Sequence, residues 1–149
     1  MYNRILISTD GSELSQKGID HGLALAKALG LPATIVTVTE RFPVYSSGIG
    51  YDFAWSNSAL DEYTDGQSKV ADAILSHAVQ SAERFGVPVE TVHIPDGDVA
   101  DAIISSARER GCGLIVMASH GRRGLGRLML GSKASEVLLH SDIPVLVVR

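Results

Sequence analysis

The sequence predicts one α/β domain over residues 1–149, an open parallel sheet of five strands with four helices divided between its two faces. Three observations carry that prediction. Four short runs rich in β-branched residues are apolar on both faces, as strands covered by helices on either side must be. Segments of helical periodicity lie between them. Strand and helix patterns alternate along the whole chain, with no repeat, linker or low-complexity tract.

The first strand is RILIST (4–9), and SELSQKGIDHGLALAKALG (12–30) reads as the first helix. Ser12 is its N-cap, Gly30 its stop, and Ile19, Leu23, Ala26 and Leu29 form its apolar stripe. ATIVTVT (33–39) is the second strand. A helix over 58–86 follows, closing on Gly86, and then the more alternating strand VETVHI (89–94). DVADAIISSARERG (98–111) is the third helix, with Asp98 as N-cap, Ile103 and Ala107 facing inward, and a basic last turn that suits the helix dipole. GLIVMAS (113–119) and IPVLVVR (143–149) are the remaining strands. Between them SKASEVLLHS (132–141) reads as a helix with Ser132 as N-cap. The long irregular segment 41–57 holds two tyrosines, two phenylalanines and the only tryptophan. It reads as a flap over its own sheet, a lid or a dimer contact.

Composition bounds the function. The net charge is −4, with 45% hydrophobic and 20% charged residues. No nucleic-acid or membrane-surface partner is expected, and any anion site must be local. No run approaches the roughly 20 apolar residues of a membrane span, and the start has no secretory pattern, so a cytoplasmic protein is expected. The single cysteine, Cys112, opens an apolar run and reads as a small buried residue rather than a reactive thiol.

In an open parallel sheet, ligands bind beyond the carboxyl ends of the strands, where the strand order reverses. Ser8, Thr9 and Asp10 end the first strand, Val38 lies near the end of the second, and Met117, Ala118, Ser119 and His120 end the fourth. A glycine-rich, arginine-bearing loop then leads to Gly131, Ser132, Lys133 and Ala134. Glycines let backbone N–H groups face an anion, and a helix N-terminus adds unpaired donors and partial positive charge. The loop therefore has the chemistry of a phosphate cradle. Gly126, Gly131, Ser132 and Lys133 approach a P-loop, but the last two residues are reversed and the strand ends too early. The turn TDGS after the first strand likewise lacks the dinucleotide-binding fingerprint.

Duller roles stand beside these. Asp10 suits an Asx turn before the first helix as well as a ligand contact. His120 suits packing or a turn as well as a phosphate contact. Arg122 and Arg123 suit a solvated loop face as well as a phosphate. Asp96 and Asp98 read as a turn and a cap, and His77 and His93 show no evident partner. With no carboxylate or cysteine at ligand spacing, no protein-held metal is expected.

ILISTDGS, PDGDVADAII and the stretch from GLIVMASHGRRGLGRLMLGSKASEVLLHSD to the C-terminus together resemble the nucleotide-binding branch of the universal stress protein family. The pattern G-x2-G-x9-G-[ST] is met at Gly121, Gly131 and Ser132, while Ala118 stands at its first glycine and Ser8 where a proline often stands. The resemblance implies a Rossmann-like sheet of order 3-2-1-4-5. It implies that Asp10 and the Val38 backbone bracket an adenine, and that Ala118, Gly121, Gly131 and Ser132 line ribose and phosphates. A Mg or Mn ion would be held mainly by those phosphates. Ser8, Thr9, Met117, His120, Arg122, Lys133 and Ala134 complete the candidate ATP-binding set.

No motif orients a water or holds a metal tightly, so binding without efficient turnover is expected. The leading reading is an ATP-binding stress-response regulatory module. The alternatives are a slow ATPase and a dimeric scaffold that binds no nucleotide. A homodimer through Ile143 to Val148 fits all three, because an apolar last strand at a sheet edge would otherwise be a pairing hazard.

Overall fold

The structure, a computed structural model, describes residues 1–39, 57–120 and 130–149. The elements alternate as β1 (Ile5–Ser8), α1 (Glu13–Leu29), β2 (Ala33–Val38), α2 (Asn57–Phe85), β3 (Val89–Ile94), α3 (Val99–Glu109), β4 (Leu114–Ala118), α4 (Ser132–His140) and β5 (Val145–Val148). All strand pairings are parallel and the order is β3-β2-β1-β4-β5. The chain reverses direction across the sheet between β1 and β4, which is the switch point.

Strand alternation sorts the core into two layers. Ile5, Ile7, Ala33, Ile35, Leu114 and Val116 pack with Ile19, Leu23 and Ala26 of α1 and Leu75, Ala78 and Ala82 of α2. Leu6, Val36, Ile115 and Met117 face the other way, against Ile103, Ile104 and Ala107 of α3 and Ala134 and Val137 of α4. α1 lies close to the sheet because Gly22 has no Cβ; one there would stand 2.7 Å from the Ile7 side chain. The edge strands are less covered: β3 has no fully buried residue and β5 only Val148.

Three helices stop in the same way. After α1, α2 and α3 the chain enters the left-handed region at Gly30 (φ 67°), Gly86 (φ 69°) and Gly111 (φ 60°). Each time two reversed hydrogen bonds close the end, as in Leu31 N to Ala26 O at 2.9 Å and Gly30 N to Lys27 O at 3.2 Å. The residue after the glycine (Leu31, Val87 or Cys112) turns back into the apolar layer beneath. Cys112 is buried, as expected, and burial pushes its thiol up.

One expected cap is corrected. Ser132 is the first residue of α4, not its cap: Gly131 holds the extended cap conformation (φ −63°, ψ 152°) and its carbonyl accepts Ser135 N–H at 2.9 Å. Position 131 cannot take a preferred capping residue because it rests on the end of β4. A Cβ at Gly131 would stand 2.9 Å from the Ser119 carbonyl oxygen, closer than side-chain carbons come. Among the described residues no helix is long and apolar enough to cross a membrane.

Candidate functional site

Two strand ends meet at the switch point. From β1, Thr9 N–H donates to Val36 O at 2.9 Å, the last bond from this strand to β2. The turn that follows is closed by its own side chains. Asp10 Oδ1 accepts Ser12 N–H at 3.0 Å, Thr9 Oγ1 accepts Gly11 N–H at 3.2 Å, and the buried Thr9 and Ser15 hydroxyls bond at 3.0 Å. Ser12 then caps α1 by accepting Ser15 N–H at 3.2 Å. Asp10 thus makes the Asx turn that its sequence context suggests, and the turn holds the residue at the rim of the sheet.

β2 runs two residues farther than its pairing with β1. Backbone groups along a strand point alternately to its two neighbours. Thr39 serves β3, accepting Gly97 N–H at 3.3 Å and donating to Ile94 O at 3.0 Å. Val36 serves β1, so Val38 aims its N–H and C=O the same way as Val36, past the point where β1 has turned off into α1. Its backbone edge therefore faces the crevice with no strand opposite among the described residues.

From β4, Met117 and Ala118 are buried and alternate. Met117 faces the α3–α4 layer, and by strand alternation Ala118 continues the face of Leu114 and Val116 toward α1, where Gly18 lies against its backbone. Ser119 is clamped, donating its N–H to Val148 O and accepting Gly131 N–H, both at 2.8 Å. His120 Nδ1 lies 3.0 Å from Ser119 Oγ. Its Nε2 is, among the described residues, the buried side-chain polar atom left without a hydrogen-bond partner.

α4 begins directly above. Ser135 N–H makes the first bond to Gly131, so the N–H groups of Ser132, Lys133 and Ala134 precede the helical ladder, and Gly131 has no side chain to cap them. Three features lie together here: three N–H donors without partners among the described residues, the partial positive charge of a helix N-terminus, and a glycine pressed on the strand end beside His120. Together they suit an anion.

The Lys133 side chain turns elsewhere. Its Nζ donates to Glu136 Oε2 at 2.9 Å and to Asp98 Oδ2 at 3.0 Å, tying α4 to the N-cap of α3. Those carboxylates hold the Lys133 ammonium above its ordinary range. The bond from Lys133, with the two N–H groups that Asp98 caps, holds the Asp98 carboxyl below its own. Asp98 caps α3 as expected, with Oδ1 accepting Ala100 N–H at 3.0 Å. Nothing in the sequence pattern announces the clasp, because its partners are 35 residues apart. Gly121 and Arg122 lie outside the described residues, as do Arg123 and the segment 40–56 that spans most of the aromatic stretch.

One further expectation is revised. His93 has a partner after all, with Nε2 3.0 Å from Thr39 Oγ1. A cleft of about 400 Å³ opens on the opposite face, between the first turn of α1 and α2, lined by Thr9, Ser12, Gln16, Ile19, Ile74 and His77. Its polar groups are largely engaged already; Gln16 Nε2, for example, donates to Asp20 and Ser81. The open donors lie instead at α4.

The family model described as the universal stress protein family matches residues 1–149. Universal stress protein YxiE of Bacillus subtilis is 34% identical over 149 residues, the whole of both chains. The solved structure of MJ0577 from Methanocaldococcus jannaschii aligns at a TM-score of 0.83 and 25% identity, over 99% of this chain and 96% of that one. A universal stress protein solved in complex with cAMP aligns at 0.69 and 23% identity, over 99% and 97% of the two chains. Another, from Archaeoglobus fulgidus and in complex with dAMP, aligns at 0.66 and 21%, over 99% and 98%.

Proposed function

The chain belongs to the universal stress protein family, and on that premise we propose that it is an adenine-nucleotide-binding regulatory module of the stress response whose physiological ligand is ATP. The observation that carries the reading is the start of α4, where three N–H groups without partners among the described residues lie over a glycine that no side chain can replace without moving the strand end. cAMP and dAMP, carried by two structural neighbours, share an adenine, a sugar and a phosphate. The open N–H groups suit the phosphate, and the Val38 backbone edge beside Asp10 suits the adenine.

Ala118 does not oppose this reading. By strand alternation its methyl shares the face of Leu114 and Val116, whereas Gly131 rests on Ser119 and His120. No group of three His, Cys, Asp or Glu suited to a metal occurs among the described residues, so a Mg or Mn ion would be held through the nucleotide's phosphates. Occupancy, not turnover, would then be the signal. The module acts in the cytoplasm as a homodimer through β5. That strand is a sheet edge with Leu146 exposed, and Leu138 and Leu139 are exposed on the neighbouring α4.

The test is to denature protein never given nucleotide, identify any released small molecule by mass spectrometry, and titrate Mg-ATP by calorimetry. Wild type is expected to bind, and Gly131→Asp, which adds a carboxylate to the cradle, to lose binding. A wild type that neither releases nor binds nucleotide would return the chain to the reading of a non-binding scaffold.

A further inference from the structure

We propose that Asp98 and Glu136 set which nucleotide the site prefers, by holding the Lys133 ammonium off the phosphates; the inference rests on the nucleotide reading above. The two carboxylates weigh against every added phosphate charge. The site then takes a phosphate of low charge, that of AMP or of ATP already paired with a divalent ion, over a metal-free triphosphate.

The first turn of α4 carries an unusual charge for its place. Helix N-termini are partially positive and favour acidic side chains. α1 and α3 follow that preference with Glu13 and Asp101, whereas α4 has no acidic residue in its first turn and has Lys133 as its second residue. A free ammonium there would add to the pull on an anion. Instead Nζ donates to Glu136 Oε2 at 2.9 Å, one turn along the same helix, and to Asp98 Oδ2 at 3.0 Å, at the N-cap of α3. One cation meets two anions, and the cluster keeps a net negative charge.

Asp98 is anchored where it stands. Its Oδ1 accepts Ala100 N–H at 3.0 Å and Asp101 N–H at 3.2 Å. The residue before it, Gly97, donates its N–H to Thr39 O at 3.3 Å, and a Cβ there would stand only 3.3 Å from the Val38 side chain and 3.2 Å from that of Ile94. A carboxylate fixed by its cap and its backbone keeps the ammonium on the α3 side.

The cluster is within electrostatic range of the proposed phosphate. An anion that accepts the Lys133 N–H lies no farther from Nζ than one lysine side chain and a hydrogen bond allow, roughly 10 Å, about one Debye length. Side chains of a helix lean toward its N-terminus, which brings these charges nearer still. At such separations each carboxylate changes the affinity for a phosphate severalfold, and the effect grows with the number of phosphate charges. Removing either carboxylate lifts one repulsion and frees Lys133 to turn to the phosphate. Binding should therefore improve, a direction that mere loss of structure does not produce.

The experiment is calorimetry on the whole chain with adenosine, AMP, Mg-ATP and, in EDTA, metal-free ATP. Wild type is compared with Asp98→Asn, Glu136→Gln and the double variant Asp98→Asn/Lys133→Met. Wild type should bind AMP and Mg-ATP more tightly than metal-free ATP. Asp98→Asn and Glu136→Gln should each tighten metal-free ATP about threefold to tenfold and AMP by less, with adenosine unchanged. The gain should shrink as salt rises from about 50 to about 500 mM, because screening shortens the reach of the charges. Adding Lys133→Met to Asp98→Asn should remove most of the gain. Single variants that bind metal-free ATP no tighter than wild type overturn the proposal, as does a gain that adenosine shares equally. The nucleotide reading stands in both cases, since wild type binds. A wild type that binds neither AMP nor Mg-ATP overturns that reading, and the role of the two carboxylates with it.

Discussion

The starts of α1 and α4 flank the switch point from opposite faces of the sheet and are finished in opposite ways. At α1 the chain closes its own turn: Asp10 takes Ser12 N–H, Thr9 takes Gly11 N–H, and Ser12 takes Ser15 N–H. At α4 the cap is a glycine with no side chain, three N–H groups lie ahead of the first helical bond, and the buried Nε2 of nearby His120 is unpartnered among the described residues. Both helices need N-terminal partners for the same reason, since the first turn has no carbonyls behind it. One end draws them from its own sequence. The other finds none among the described residues, and on the proposed reading α1 is a structural start and α4 a binding start.

The sharpest way to break this contrast is Gly131→Ala. The added methyl would meet the Ser119 carbonyl oxygen at 2.9 Å and must displace α4 or the end of β4. Overpacking of this kind costs about 1–3 kcal/mol. Urea unfolding should show that loss, and calorimetry should show nucleotide binding lost with it. Ser12→Ala tests the other end. Loss of a serine N-cap costs about 1 kcal/mol, so the urea midpoint should fall while nucleotide affinity stays within about twofold of wild type. A large loss of affinity would mean that the α1 start is also a binding element.

Asp98→Asn separates the clasp from the cap, because an amide oxygen still accepts from the first turn of α3 whereas the charge toward Lys133 is gone. The Asp98 carboxyl is held below its ordinary value of 3.8. Its contribution is therefore complete above that value and is lost as the pH falls through the lowered folded value. Lys133 is held above 10.5, so its side of the pair is complete below that and is lost as the pH rises beyond it. The side chains of Lys133 and Asp98 are 36% and 50% exposed, which limits the effect to about 0.5 kcal/mol. Wild type and variant should differ by that much in unfolding free energy between about pH 4 and 10 and converge in acid. Asp142→Asn should do least. The Arg108 guanidinium holds the Asp142 carboxyl below its ordinary value, but the pair is solvated, at 53% and 69% exposure. Its unfolding midpoint should match wild type within error.

Much of this contrast is legible in the sequence. Gly30 and Gly86 mark helix ends because a left-handed φ suits them and few others. Ser12 and Asp98 mark helix starts because short polar side chains reach back to amides two or three residues on. The same rule fails at Ser132. The capping preference is local, whereas the residue at 131 answers to the Ser119 carbonyl twelve positions earlier. Ser119 itself carries no functional signal in the sequence, since a serine at the end of an apolar strand is ordinary until its neighbours in space are known. The Lys133–Asp98 bond is equally invisible there, because it joins two helices that only the sheet brings together.

The sequence by itself determined the elements, their alternation and the two apolar layers, because periodicity and capping act over a few residues and every such signal lies within its own segment. It also singled out the approach to α4 as the proposed phosphate site, since glycines before a helix are a local pattern. Tertiary structure alone decided which donors stay open. Whether an N–H or an imidazole nitrogen finds a partner depends on what the sheet and the neighbouring helices carry past it. At α1 the partners lie within six residues, and at α4 the chain supplies none among the residues described.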